Sequence, residues 1–110
     1  MILVTGGAGF VGNTLIRRLA ATTAVRGGVR SGCAHQDLQL AGGWVHGNIS
    51  PEQNWLAALR GVKCVIHCAA RVHVMNDRAV DPLAEFRQVN VEGTLNLAKQ
   101  AAGAGVQRFV

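Results

Sequence analysis

Gly6, Gly9 and Gly12 stand three residues apart, with Gly7 and Ala8 among them, directly behind the apolar run 1–4. No side chain from Gly6 to Gly12 can move a proton or attack an electrophile, so the chemistry of this stretch belongs to its backbone. Glycines at such spacing meet three needs: a tight turn, close approach of main-chain N–H groups to a pyrophosphate, and close packing of a helix on the preceding strand. A helix predicted to start at Phe10 and Val11 and run to about residue 21 would aim its free N–H groups and positive dipole end at the same phosphates. The residues therefore point to binding of a phosphate-bearing nucleotide cofactor. Two templates fit: Gly7, Gly9 and Gly12 read as G-x-G-x-x-G, and Gly6, Gly9 and Gly12 read as T-G-x-x-G-x-x-G, which the Thr5-Gly6 start favours.

The elements that would position this loop alternate strand and helix. Strands are predicted near 1–4, 24–30, 44–46, 62–68 and 106–110. Helices are predicted near 10–21, 52–60 and 82–103, with a short or irregular piece around 34–40. The runs 1–4 and 62–70 are apolar without alternation, as strands buried on both faces are. Ser50-Pro51-Glu52 reads as a cap with proline in the first helical turn. Asp81-Pro82 repeats that signal for the long helix, and Gly103 with Gly105 ends it. Such alternation implies parallel pairing with right-handed crossovers; together with the glycine loop behind the first strand, the expected fold is a doubly wound α/β sheet of the Rossmann type with strand order 3-2-1-4-5.

Four segments in this order carry a resemblance. The T-G-x-x-G-x-x-G spacing is similar to the short-chain dehydrogenase/reductase superfamily. Val65-Ile66-His67-Cys68-Ala69-Ala70 resembles the end of the fourth strand in its extended branch, the NAD-dependent epimerase/dehydratase family of nucleotide-sugar enzymes. Asn90-Val91-Glu92-Gly93-Thr94 resembles the helix that follows, and Gly105-Val106-Gln107-Arg108-Phe109-Val110 the fifth strand. The stretch 70–75 with Asp81-Pro82-Leu83 and Phe86-Arg87 is similar to the UDP-sugar 4-epimerases and 4-keto reductases of surface-polysaccharide synthesis, including the UDP-N-acetylquinovosamine dehydrogenase type. The resemblance implies a nicotinamide cofactor, a nucleotide-sugar substrate and pairing of full-length subunits as a homodimer.

It also implies a Ser or Thr beyond the fifth strand and a Tyr-x-x-x-Lys pair on the next helix, the tyrosine moving the sugar proton while the nicotinamide moves hydride. The chain has no tyrosine, and no catalytic residue is assigned. The expectation is a single unit, 1–110, forming the amino-terminal NAD(P)-binding portion of a longer enzyme, truncated after the fifth strand and inactive alone. The strand edge at 106–110 would then favour self-association. A non-catalytic NAD(P) sensor is the alternative.

Cofactor choice turns on the end of the second strand, where an acid would accept from the adenosine ribose. No acid precedes Asp37. Arg30 follows Gly12 by eighteen residues, at the place where a guanidinium can pair with a 2′-phosphate or stack on adenine. That favours NADP over NAD; the other reading has Arg30 merely covering the strand end. By the resemblance, Asn48 stands where an acid usually meets the adenine amino group, and its amide oxygen can still accept; a turn asparagine is the plainer reading. Ile49 beside it, and Cys68, Ala69 and Ala70 at the fourth strand tip, are assigned to the same cofactor, the alanines leaving room or simply filling core. Arg71 and His73 follow on a loop that fronts the sugar nucleotide in the family, and Asn90 is read as structural support within its helix.

Composition narrows the classes. The 110 residues, 49% hydrophobic and 15% charged, suit one α/β domain. No apolar run approaches the roughly 18 residues that span a bilayer, and no leader is recognisable, so no membrane partner and a cytoplasmic location are expected. Cys33, Cys64 and Cys68 are odd in number and lack C-x-x-C spacing, and the four histidines are scattered; neither a disulfide framework nor a metal site is expected. Cys64 and Cys68 are read as small core residues on one side of a strand. The net charge of +5 comes from eleven Lys and Arg spread singly over most elements, which argues for steering anionic ligands and against nucleic acid.

Overall fold

The structure, a computed structural model, describes residues 1–30, 38–70 and 82–110. Five strands, β1 (Ile2–Thr5), β2 (Val25–Val29), β3 (Trp44–His46), β4 (Cys64–His67) and β5 (Arg108–Phe109), form one sheet in the order β3-β2-β1-β4-β5. Every pairing is parallel, with Ile2 opposite both Val25 and Cys64. The expected doubly wound Rossmann sheet is therefore present. β5 is brief as a strand, yet Gln107 N–H donates to the Lys63 carbonyl and Val110 N–H to that of Val65, so the ladder runs over 107–110 of the predicted 106–110.

Residues alternate between two apolar layers, as strands covered on both faces require. Leu3 and Val65 face a layer with Trp55, Leu59, Val62, Leu97 and Ala101. Val4 faces the other with Ile16 of α1 (Phe10–Ala20), Val25 and, at its margin, Trp44 and Ile66. β2 carries glycine at 27 because the Trp44 indole lies across it, and a Cβ there would overlap the ring.

The long carboxy-terminal helix is continuous but not uniform. It runs as α2 (Pro82–Arg87), a π-helical segment Gln88–Gly93 and α3 (Thr94–Gly103). Gly93 is buried against the backbone of the 49–50 turn, where a Cβ would stand 2.7 Å from Ile49 Cγ2 and 2.9 Å from the Ser50 nitrogen. At the far end Gly105 takes φ +86°, Gly105 N–H reaches Ala102 O and Val106 N–H reaches Ala101 O. That double bond pattern is a Schellman cap with Gly105 in its left-handed position.

The helix expected at 52–60 does not form. Its place is taken by turns, with Leu59 N–H to Trp55 O as one helical bond and Val62 N–H to Leu59 O closing tighter. Side chains from within and beyond the segment bind its backbone instead. Gln100 Oε1 accepts from Trp55 N–H at 2.7 Å, Asn54 Oδ1 accepts from Leu56 N–H, and Arg26 donates to the carbonyls of Ala58 and Arg60. Gly61 at φ +77° then stops the segment. The Ser50 cap is likewise absent: the Ser50 carbonyl accepts from Asn96, and Pro51 opens a turn. The irregular piece at 34–40 lies mostly, and Cys33, Arg71 and His73 wholly, outside the described residues.

Candidate functional site

The chain order reverses between β1 and β4, and the carboxyl ends of the strands open there into a cleft of about 710 Å³. Ligands of doubly wound sheets bind at this place because adjacent crossovers leave in opposite directions and leave a gap. The floor is the loop from Thr5 to Gly12. Gly6 turns the chain at φ +71°, and a Cβ on it would stand 2.8 Å from Ala69 N and Cys68 C. A Cβ on Gly12 would overlap the Gly6 carbonyl. Gly9 differs: its φ is −80°, and a Cβ would meet only Gly6 O at 3.3 Å.

Turn, close packing and open approach thus fall to Gly6, Gly12 and Gly9 respectively. Gly7 looks away from the cleft, toward Trp44 and Ile16, so the T-G-x-x-G-x-x-G template is the one the geometry follows.

Helix α1 begins at this floor with no side-chain cap and no acid in its first turn. Its first N–H groups and positive dipole end are open to an anion. Phe10 and Val11 stand exposed at the rim, 90% and 65% accessible, an apolar face beside a polar floor. On one side wall Arg30 follows β2, and Asn48 and Ile49 follow β3; on the other Cys68, Ala69 and Ala70 follow β4. Gly6, Gly9 and Gly12, Phe10 and Val11, Arg30, Asn48 and Ile49, and Cys68, Ala69 and Ala70, the residues assigned to the cofactor in the sequence, all line this one cleft. Thr5, Gly28, Gly47, Trp55 and Val89 line it too and were not singled out. Thr5 was signalled by the Thr-Gly pair; the others become neighbours only through the fold.

Arg30 is the one charged group among the described lining residues, and none of them carries a carboxylate. A cation, an open helix end and no acid make an anion site. The β4 wall is held by side chains. Thr5 Oγ1 accepts from Cys68 N–H at 3.1 Å and Ala69 N–H at 3.2 Å and lies 2.7 Å from His67 Nδ1, while His67 Nε2 lies 2.9 Å from Thr94 Oγ1. Burial lowers the pKa of His67 and raises that of Cys68, so imidazole and thiol are both neutral at pH 7. The described walls can hold and orient a ligand.

Comparisons with known proteins place this geometry. A UDP-glucose 4-epimerase of Vibrio cholerae is 40% identical over 111 residues, covering 99% of this chain and 33% of its own length. A 3 beta-hydroxysteroid dehydrogenase/Delta 5→4-isomerase of Mycobacterium tuberculosis is 38% identical over 117 residues, covering 99% of this chain and 30% of its own. A dTDP-glucose 4,6-dehydratase from Streptomyces venezuelae, crystallised with NAD bound, superposes with TM-score 0.73 at 35% identity over 98% of this chain and 37% of that one. The chain spans about a third of the length of the curated relatives it matches. The model of the NAD dependent epimerase/dehydratase family matches residues 2–110, and the chain belongs to that family.

Proposed function

We propose that this chain is the dinucleotide-binding portion of a nucleotide-sugar epimerase, dehydratase or 4-keto reductase, with NAD or NADP as its cofactor. The observation that carries the reading is the cleft itself: a glycine floor open at Gly9, an uncapped helix end and Arg30, with no carboxylate among its described walls. These residues fit a dinucleotide. The backbone N–H groups of Phe10, Val11 and Gly12 would meet the pyrophosphate, Arg30, Asn48 and Ile49 the adenosine half, and Cys68, Ala69 and Ala70 the nicotinamide half. The cofactor, when bound, supplies hydride transfer; the chain's own residues bind it, orient it and exclude water.

Support for a sugar nucleotide comes from the family and from the epimerase and dehydratase relatives. The full-length enzyme would act on a UDP-sugar in the cytoplasm as a homodimer. With no tyrosine in its sequence, this chain binds without turnover.

The alternative reading is a non-catalytic NAD(P) sensor, which the same cleft would serve. Calorimetric titration of the chain with NAD and NADP tests the binding claim, and no heat from either ligand would overturn it. Incubation with a reduced cofactor and a UDP-4-keto sugar separates the functions, because nicotinamide oxidation that survives repurification would disprove inactivity.

A further inference from the structure

A buried hydroxyl, an imidazole and a second hydroxyl form a line through the tip of β4. Thr5, 2% exposed, offers one oxygen to three partners: the N–H groups of Cys68 and Ala69, and His67 Nδ1. A hydroxyl has two lone pairs and one proton, and an amide N–H can only donate. Both lone pairs therefore go to the amides, and the Thr5 proton goes to Nδ1. The ring must keep its own proton on Nε2, which donates to Thr94 Oγ1.

We propose that His67 is a positioning residue of the cofactor cleft: as the neutral Nε2–H tautomer it orients the Thr5 hydroxyl, which fixes the Cys68 and Ala69 backbone against the phosphate loop. The inference rests on the reading of the cleft as a dinucleotide site. Transmission is by direct contact, since Gly6 touches the same two residues so closely that a Cβ would stand 2.8 Å from Ala69 N. A second proton on the ring would make Nδ1 a donor aimed at Thr5 Oγ1. The oxygen would then face three donors with two lone pairs, its own proton would have no acceptor there, and one amide would have to let go.

The surroundings favour the neutral ring. Phe109 of β5 covers it at 6.0 Å between ring centroids, and burial lowers its pKa, with no charged group contributing. Among the described residues, the titratable or charged side chains on the neighbouring elements are Cys64 on its own strand and Cys68 just past it, Arg108 on β5, and Arg87, Glu92 and Lys99 on the helix. The last four are exposed, and β1 carries no titratable side chain.

The test uses the chain labelled with 15N-histidine and read by NMR, together with dinucleotide titrations from neutral to mildly acid pH. The expected result is a pyridine-like Nδ1 and a pyrrole-like Nε2 for His67, faster exchange of the Cys68 and Ala69 amides as the ring protonates, and affinity falling about tenfold over the same interval, the cost of one lost buried hydrogen bond. His67→Asn places an amide oxygen near the position of Nδ1 and does not titrate; it should abolish the acid-side fall, whereas His67→Leu should weaken binding at every pH. An Nδ1–H tautomer, or an acid-side fall that persists in His67→Asn, would overturn the proposal. If neither dinucleotide binds at any pH, the functional reading fails. The proposal about His67 is then decided by the tautomer and the amide exchange of the unmodified chain, and unchanged exchange on protonation would refute it.

Discussion

The floor and the β4 wall of the cleft are built by opposite means. The floor from Gly6 to Gly12 is made by the absence of side chains: its geometry exists because no Cβ fills the space between Gly12 and the Gly6 carbonyl or between Gly6 and Ala69. The β4 wall is made by side chains, with Thr5, His67 and Thr94 holding the 68–69 backbone through hydrogen bonds. A wall of the first kind fails by steric intrusion, all at once. A wall of the second kind fails by degrees, through lost or reversed hydrogen bonds, and it can respond to pH.

The largest effect should come from Gly12→Val. Its Cβ would overlap the Gly6 carbonyl, and neither α1 nor β1 can retreat without opening the layer around Val4 and Ile16. We expect a loss of about 3 kcal/mol or more in urea unfolding, at the upper end of overpacking costs. Gly9→Val separates binding from folding in the same loop. At φ −80° a side chain is unstrained, and its Cβ, 3.3 Å from Gly6 O, asks that carbonyl to give by a few tenths of an ångström; it also occupies the approach to the helix N–H groups. Dinucleotide affinity should drop about a hundredfold, equivalent to roughly 3 kcal/mol of charge-assisted hydrogen bonding, while the urea midpoint stays near that of the parent. Comparable losses of stability in the two variants would erase the distinction between Gly12 and Gly9.

These expectations rest on features with unequal visibility in the sequence. The glycine floor was legible because it is local: turn, approach and packing are set within seven residues, and the strand before them is a plain apolar run. Alternation of elements gave the parallel pairing, and the order came with the fold type that a glycine loop behind the first strand marks. The segment 52–60 misled because its local signals, a proline in a first turn and apolar residues at 55, 56 and 59, favour a helix, whereas Arg26 and Gln100 draw its backbone groups into long-range bonds. The β4 wall was legible only in part. Cys68, Ala69 and Ala70 could be named from a resemblance, but Thr5, His67 and Thr94 meet across 62 and 27 positions, and no periodicity encodes such a meeting.

Thr5→Val probes that wall directly. The replacement is nearly isosteric, so packing is kept while two buried amides and the ring lose their partner. We expect about 2–3 kcal/mol of destabilisation, with Thr5→Ser recovering most of it. A cost below that of an ordinary surface substitution would mean the amides find other acceptors.

The same wall predicts the pH response of the fold. Burial holds the folded pKa of His67 below its usual 6.5, so the unfolded chain takes up a proton near pH 6.5 that the folded chain refuses until lower pH. Unfolding free energy is therefore greatest above that value, falls as pH drops below it, and levels off, for this group, once the folded ring protonates. Urea melts across this interval check the sign. His67→Asn should flatten the slope, and an unaltered slope would assign the acid lability to other groups.

Arg30, on the side wall that follows β2, belongs to neither construction: it is exposed at the strand end, and its substitution should leave stability nearly unchanged. What it offers is charge at the adenosine end of the cleft, which is where NAD and NADP differ. A guanidinium there can pair with a 2′-phosphate, whereas a carboxylate would repel that phosphate and accept from the ribose hydroxyls. Arg30→Asp should therefore weaken NADP by about tenfold, the equivalent of one partly solvated charged contact, and leave NAD equal or improved. The ratio of the two dissociation constants, measured by calorimetry, is the deciding quantity because it cancels any general loosening of the loop. If that ratio does not move, Arg30 only covers the strand end, and cofactor choice belongs to some other part of the adenosine wall, with Asn48 and Ile49 the next positions to exchange.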